Sequence, residues 1–185
     1  MNTSGTVEIL VLCLDKPLVS KNHLLRTHAY TGRWLAMRTV GAGGASLEWF
    51  RTNFCREMTK EEFYQHYLND VLISNRLPEP RFYPYLSGDR HRIKNKSGAF
   101  TRLTLNTNRD GLLLALAHGI ISFQIASIAE WKKSVRLSSE ICHVGGGASD
   151  AYTDYKQGML KGFHFVQLGE TTLAGAARLA LETMG

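Results

Sequence analysis

Cysteine is scarce in this chain: three residues in 185, Cys13, Cys55 and Cys142, far apart and with no CxxC pair. That spacing excludes a disulfide scaffold, and reduced thiols buried in core strands or helices are the expectation. Proline is also scarce, at four residues, while 44% of the chain is hydrophobic, so a continuous core can form and disorder is excluded. Purely apolar runs last only a few residues, which argues against a transmembrane helix. Met1 is not followed by a basic segment, an apolar stretch and a small-residue cleavage site, so no signal peptide is read and a soluble, cytoplasmic protein is expected. The seven histidines make no HxH or HExxH pattern, so no protein-bound metal site is expected. Neither the P-loop sequence GxxxxGK(S/T) nor the fingerprint GxGxxG with a downstream acid occurs.

What is present points to one α/β domain over residues 1–185. The net charge of +6 favours anionic partners without locating a site, and the one basic cluster, Arg90, Arg92, Lys94 and Lys96, alternates with other residues. Val7 to Leu14, Leu24 to Tyr30 and Trp34 to Val40 read as three strands of an antiparallel meander. After Gly41 the period changes: Leu47, Phe50, Phe54 and Met58 recur at helical spacing, and a second helix follows from Thr59, where Thr59 and Glu62 form a capping box. Short strands are expected near Phe82 to Leu86 and Phe100 to Leu105, and Thr107 or Asn108 caps a long helix ending near Ser134. The last fifty or so residues alternate strand, turn and helix: Ile141 to Val144, Gly145 to Gly147, a helix from Ser149, Phe163 to Val166, and a helix from Thr172. The expected whole is a mixed five-stranded sheet flanked by helices, of the actin-like ATPase or ribonuclease-H-like type.

Three glycine turns lie at strand ends: Ser4-Gly5-Thr6, Gly41 to Gly44, and Gly145 to Gly147. A turn without a Cβ lets backbone N–H groups approach an anion, and a helix opening behind it adds a favourable dipole. The same segments carry a family resemblance. Ser4-Gly5-Thr6, Gly32-Arg33-Trp34, Gly43-Gly44-Ala45-Ser46-Leu47-Glu48-Trp49, Tyr85-Leu86-Ser87-Gly88-Asp89-Arg90, Gly98-Ala99-Phe100 with Leu103-Thr104-Leu105, Val144-Gly145-Gly146-Gly147-Ala148, and Glu170-Thr171-Thr172-Leu173-Ala174-Gly175-Ala176-Ala177 follow one another in the order found in the FGGY carbohydrate kinases. The chain resembles the C-terminal, nucleotide-side domain of that family, which includes xylulose, glycerol, ribulose and gluconate kinases.

The resemblance implies ATP with Mg²⁺ as co-substrate. Gly5 and Thr6 would meet the terminal phosphates, Gly44 would let the nucleotide pass, Glu48 would face it from the following helix, and Gly146 and Gly147 would pack on adenine and ribose. Ala151 stands where several relatives place a polar side chain near adenine. Two further residues depart from the pattern: Val7 and Glu8 replace small polar residues, and a carboxylate at 8 repels phosphate unless it is turned away. The family's base, an aspartate in a Gly-Asp motif upstream of the hairpin, and most of its sugar contacts lie in an N-terminal domain that these residues do not contain. No catalytic residue is therefore assigned; Asp110 and Asp150 read as first-turn helix acids, and the isolated chain is expected to be inactive without that domain or a partner chain. A non-catalytic interaction protein on the same fold, with self-association into a homo-oligomer as its readout, is the alternative. A ribonuclease-H-like nuclease is disfavoured, because the first strands bring only Glu8 and Asp15 as carboxylates.

Overall fold

A computed structural model describes residues 1–29, 32–74, 77–89, 96–146, 150–169 and 171–183. Its centre is a mixed six-stranded sheet, ordered β3-β4-β2-β1-β7-β8. The strands are β1 (Asn2–Ser4), β2 (Glu8–Leu14), β3 (Leu24–Thr27), β4 (Trp34–Val40), β7 (Glu140–Val144) and β8 (His164–Gln167). A separate antiparallel pair joins β5 (Arg81–Tyr83) to β6 (Ala99–Thr101). The helices are α1 (Gly44–Phe54), α2 (Leu68–Ile73) entered through π-helical turns at Glu62–Tyr67, α3 (Arg109–Trp131), α4 (Asp150–Met159) and α5 (Thr172–Thr183).

The sheet has one strand more than the sequence reading. β1 is three polar residues long, too short and too polar to show an alternating pattern, yet it occupies the centre of the sheet. It pairs antiparallel with β2 and parallel with β7, joining the antiparallel strands to the strand-turn-helix repeat. Those antiparallel strands are not the expected meander: β4 pairs with both β2 and β3 and lies between them, because the connection over residues 15–23 is long enough to carry β3 past the place β4 takes.

Local signals elsewhere match the elements formed. Thr59 N–H donates to Glu62 Oε2 at 2.7 Å and Glu62 N–H donates to Thr59 Oγ1 at 3.2 Å, a reciprocal capping box. Asn108 caps α3 by accepting from Gly111 N–H at 2.9 Å. By length and composition α3 is apolar enough to cross a membrane, which the short apolar runs did not suggest, but its side chains form the middle of the core.

Register fixes which residues share a face. Asn2 lies opposite both Leu10 and His143, and Leu12 lies opposite Ala36, so these side chains point the same way. That face is covered by α3 and α4, giving a cluster of Leu10, Ala36, Ile128, Trp131, Leu160 and Phe165. A second apolar cluster, centred on Phe50, Phe63, Leu113, Leu116, Ile120 and Tyr152, packs α1, the π turns, α2, α3 and the β5–β6 pair together.

The opposite face of the sheet corrects the cysteine expectation. Cys55 is buried, but Cys13 and Cys142 are exposed. Each alternates with core residues, Cys13 with Leu12 and Leu14 and Cys142 with Ile141 and His143, and so points away from α3 and α4.

Candidate functional site

Strand register brings the turns to one edge. Ser4, Glu8 and Val40 stand side by side across β1, β2 and β4, and Thr3 stands beside Val144 of β7. The carboxyl ends of β1, β4 and β7 therefore open on the same rim, where open α/β sheets place their ligands. From that rim emerge the Gly5–Val7 turn, the Gly41–Gly43 turn leading into α1, and Gly145–Gly146.

These turns are locked to one another through their backbones. Gly44 N–H donates to Gly5 C=O at 2.8 Å and Ala45 N–H donates to Thr6 C=O at 3.1 Å, so the start of α1 rests on the β1–β2 hairpin. A Cβ on Gly44 would come within 2.5 Å of Gly5 O, which is why this position tolerates only glycine. On the other side Gly145, at φ +106°, lies so close to Ser4 O that a Cβ there would overlap it. Gly146 differs: it is exposed, and a Cβ on it would meet nothing within 4 Å. Thr6 is exposed at the tip of the hairpin and Gly5 is half-buried.

The remaining residues singled out from sequence are placed less uniformly. Glu48 is engaged by protein groups: Arg51 Nη2 donates to its Oε1 at 2.7 Å and Tyr64 O–H to its Oε2 at 3.0 Å. Arg51 and Tyr64 hold its carboxyl below the usual carboxylate range, and burial together with Glu48 pushes the Tyr64 hydroxyl well up. Ala151 lines a cavity of about 860 Å³ between α2, α3 and α4, with Leu72, His118, Asp154 and Tyr155 on its walls. A second cavity of about 560 Å³ lies by Tyr67, Pro78 and Asn108, and none of Gly5, Thr6, Gly44, Glu48 or Gly146 lines either one. Gly147, Ala148, Glu170, Arg90, Arg92 and Lys94 lie outside the described residues. Asp110 accepts from Tyr67 O–H at 2.5 Å, and Asp89 pairs with Lys96 at 2.8 Å, so both carboxylates are held by neighbours.

Directly beneath the rim is a buried polar knot that the sequence reading did not isolate. Lys156, fully buried, donates to Asn2 Oδ1 at 2.9 Å, Ser4 Oγ at 2.7 Å and Glu8 Oε1 at 2.5 Å. The same Glu8 oxygen accepts from Asn2 Nδ2 at 3.2 Å, Ser4 O–H at 2.8 Å and Gln124 Nε2 at 2.5 Å. His143 Nε2 lies 2.7 Å from Ser4 Oγ, and its Nδ1 lies 3.2 Å from Thr153 Oγ1. Burial, reinforced by the Lys156 charge, pulls the His143 imidazole down to about 4, so it is neutral at pH 7. Burial also lowers the Lys156 ammonium, against the opposing pull of Glu8. A signal for the knot was available: Lys156 falls on the stripe Tyr152–Lys156–Leu160, and Glu8 on the stripe Glu8–Leu10–Leu12. Two opposite charges on the buried faces of two elements point to each other.

Comparison with solved structures decides the fold. Xylulose kinase from Rhodospirillum rubrum superposes with a TM-score of 0.85 at 18% identity, over 100% of this chain and 38% of its own. Gluconate kinase from Lactobacillus acidophilus gives 0.80 at 21% identity, over 97% and 37%. The fold is that of the sugar kinases. Plasmodium falciparum glycerol kinase, solved with ADP, shares this sugar-kinase fold at a TM-score of 0.76 and 17% identity, over 96% of this chain and 37% of its own. The chain thus spans well under half the length of these enzymes. No protein-family model and no curated protein matches the sequence. The actin-like architecture expected from the motifs is the one observed, with β1 added as the sixth strand.

Proposed function

We propose that this chain is the ATP-holding side of a carbohydrate kinase, presenting the γ-phosphate to a sugar or polyol hydroxyl carried by another domain or chain. The observation that carries the reading is the interlocked rim: a Gly-Thr hairpin, the start of α1 and the Gly145–Gly146 turn, tied together by backbone contacts at the carboxyl ends of β1, β4 and β7. The N–H groups of Gly5, Gly44 and Ala45 are taken by the lock itself, so in this reading the dipole of α1 and the hairpin tip address the phosphate chain, and phosphoryl transfer depends chiefly on such positioning and charge stabilisation. The exposed Thr6 hydroxyl is suited to a terminal phosphate, and the open space at Gly146 leaves room for the flat part of a nucleotide. Mg²⁺ would arrive on the nucleotide, neutralising charge between its phosphates; among the described residues no cluster of metal-ligating side chains exists to hold it separately. In this reading Glu48 serves by fixing α1 to Tyr64, and the cytoplasm, where ATP is abundant, is the site of action.

Acceptor chemistry is assigned to the other domain: Asp89 and Asp110 are tied to their neighbours, and Asp150 and Asp154 line the α2–α3–α4 cavity. Calorimetric titration with ATP and Mg²⁺ is the test. Binding is expected, and Thr6→Val is expected to weaken it by about tenfold, the worth of one charge-assisted hydrogen bond, without lowering the melting temperature. Absence of heat at millimolar ATP overturns the reading.

A further inference from the structure

A carboxylate two residues past a phosphate-binding hairpin is an electrostatic fault, and Glu8 stands there. We propose that Lys156 is a positioning residue that corrects this fault: its ammonium neutralises Glu8 and, through Ser4, fixes the hairpin in the shape that receives an anion. The anion part rests on the nucleotide reading above; the positioning part does not.

The geometry is specific. An ammonium has three N–H donors, and Lys156 places them on three acceptors: the side chains of Asn2 and Ser4 on β1, and Glu8 at the start of β2. Asn2, Ser4 and Glu8 flank the Gly5–Val7 turn, so one side chain clamps both legs of the hairpin. All four donors to Glu8 meet at Oε1, with Gln124 reaching it from α3. Glu8 is 2% exposed and Lys156 0%, so little water is available to screen either charge. Unpaired, the Glu8 charge would act on the rim through low-dielectric protein and oppose a phosphate. Neutral His143 adds no charge of its own and braces Ser4 from β7. Lys156 also sits on α4, which begins at Asp150, four residues after Gly146, so the clamp ties the hairpin to the helix behind the neighbouring turn. Removing any of these links frees the hairpin from a different side.

The test uses the full chain as wild type, Lys156→Met and Glu8→Gln/Lys156→Met, followed by hydrogen exchange at residues 5–7 and 44–45 and by calorimetric ATP·Mg²⁺ binding. Lys156→Met should accelerate exchange at both segments by about tenfold or more and weaken ATP by about tenfold. The double variant carries no charge in the knot, so it should bind ATP more tightly than Lys156→Met, while exchange at residues 5–7 stays faster than wild type because the clamp is gone. A purely structural lysine predicts instead that the double variant binds no better than the single one, and that result overturns the charge-correcting role. If Lys156→Met does not fold, the double variant decides alone: exchange at residues 5–7 faster than wild type supports the clamp, and exchange like wild type overturns it. If wild type binds no ATP, the nucleotide reading fails, and exchange then judges the clamp by itself. Unchanged exchange at residues 5–7 in a folded variant without Lys156 overturns positioning.

Discussion

The two apolar clusters and the polar knot between them are built from the same helices but work differently. Along α3, Leu113, Leu116, Ile120 and Ile121 enter the first cluster and Ile128 and Trp131 the second, while Gln124 between them turns to Glu8. Along α4, Tyr152 enters the first cluster, Leu160 the second, and Lys156 the knot. The clusters are redundant: many side chains share the burial, and any one of them can shrink with local loss. The knot is not, because each member satisfies another, and an unpaired buried charge costs far more than a lost methyl group. Stability is distributed over the apolar regions, whereas the shape of the rim is concentrated in a few polar contacts beneath it.

Substitutions separate the two kinds of region, and the largest effect is expected at the knot. Lys156→Met should cost about 3–5 kcal/mol in urea unfolding, because it strands Glu8, and Glu8→Gln/Lys156→Met should recover most of that loss. Leu116→Ala in the first cluster should cost about 2–5 kcal/mol with no compensating partner, and it should leave exchange at the rim unchanged. If the double variant is no more stable than the single one, the knot behaves like ordinary core and the contrast fails.

Acid should find the knot as well. His143 is held down to about 4 against an ordinary value of 6.5, so above pH 6.5 it is neutral in both folded and unfolded chains and its contribution is complete. As pH falls below 6.5 the unfolded chain takes the proton first, and stability drops progressively until about pH 4. The loss is at most about 3 kcal/mol, and His143→Gln should flatten that part of the stability-against-pH curve. A smaller effect is expected at Gly145→Ala, about 1–3 kcal/mol, since both its positive φ and the nearby Ser4 carbonyl resist a Cβ. The smallest is Asn108→Ala, about 1 kcal/mol, from loss of the α3 cap far from the knot.

Most elements could be read from local signals. The capping box at Thr59 and Glu62, the Asn108 cap, and the Gly41–Gly44 turn between β4 and α1 are each encoded within a few residues, and each formed where the residues indicated. β1 was not legible, because Asn2, Thr3 and Ser4 have neither alternation nor β-branched bulk; β2 and β7 make them a strand by pairing on either side. Exposure of Cys13 and Cys142 depended on which face of the sheet α3 and α4 cover, a tertiary fact that alternation alone does not supply. The candidate site divides the same way. Gly5, Thr6 and Gly44 could be picked from turn chemistry and family resemblance, but two of the partners of Glu8, Gln124 and Lys156, come from positions 116 and 148 residues away in sequence. Long-range polar pairing leaves only a faint mark in a single sequence: a charge standing on a buried stripe.

In the reading proposed above, the turns at the carboxyl ends of β1, β4 and β7 form one triphosphate-binding rim. Amide chemical shifts followed by NMR during addition of ATP and Mg²⁺ test it most directly. Gly5, Thr6, Gly44, Ala45, Gly145 and Gly146 should move together and saturate at one nucleotide concentration. Movement confined to the α2–α3–α4 cavity, or none at the hairpin, would contradict the account.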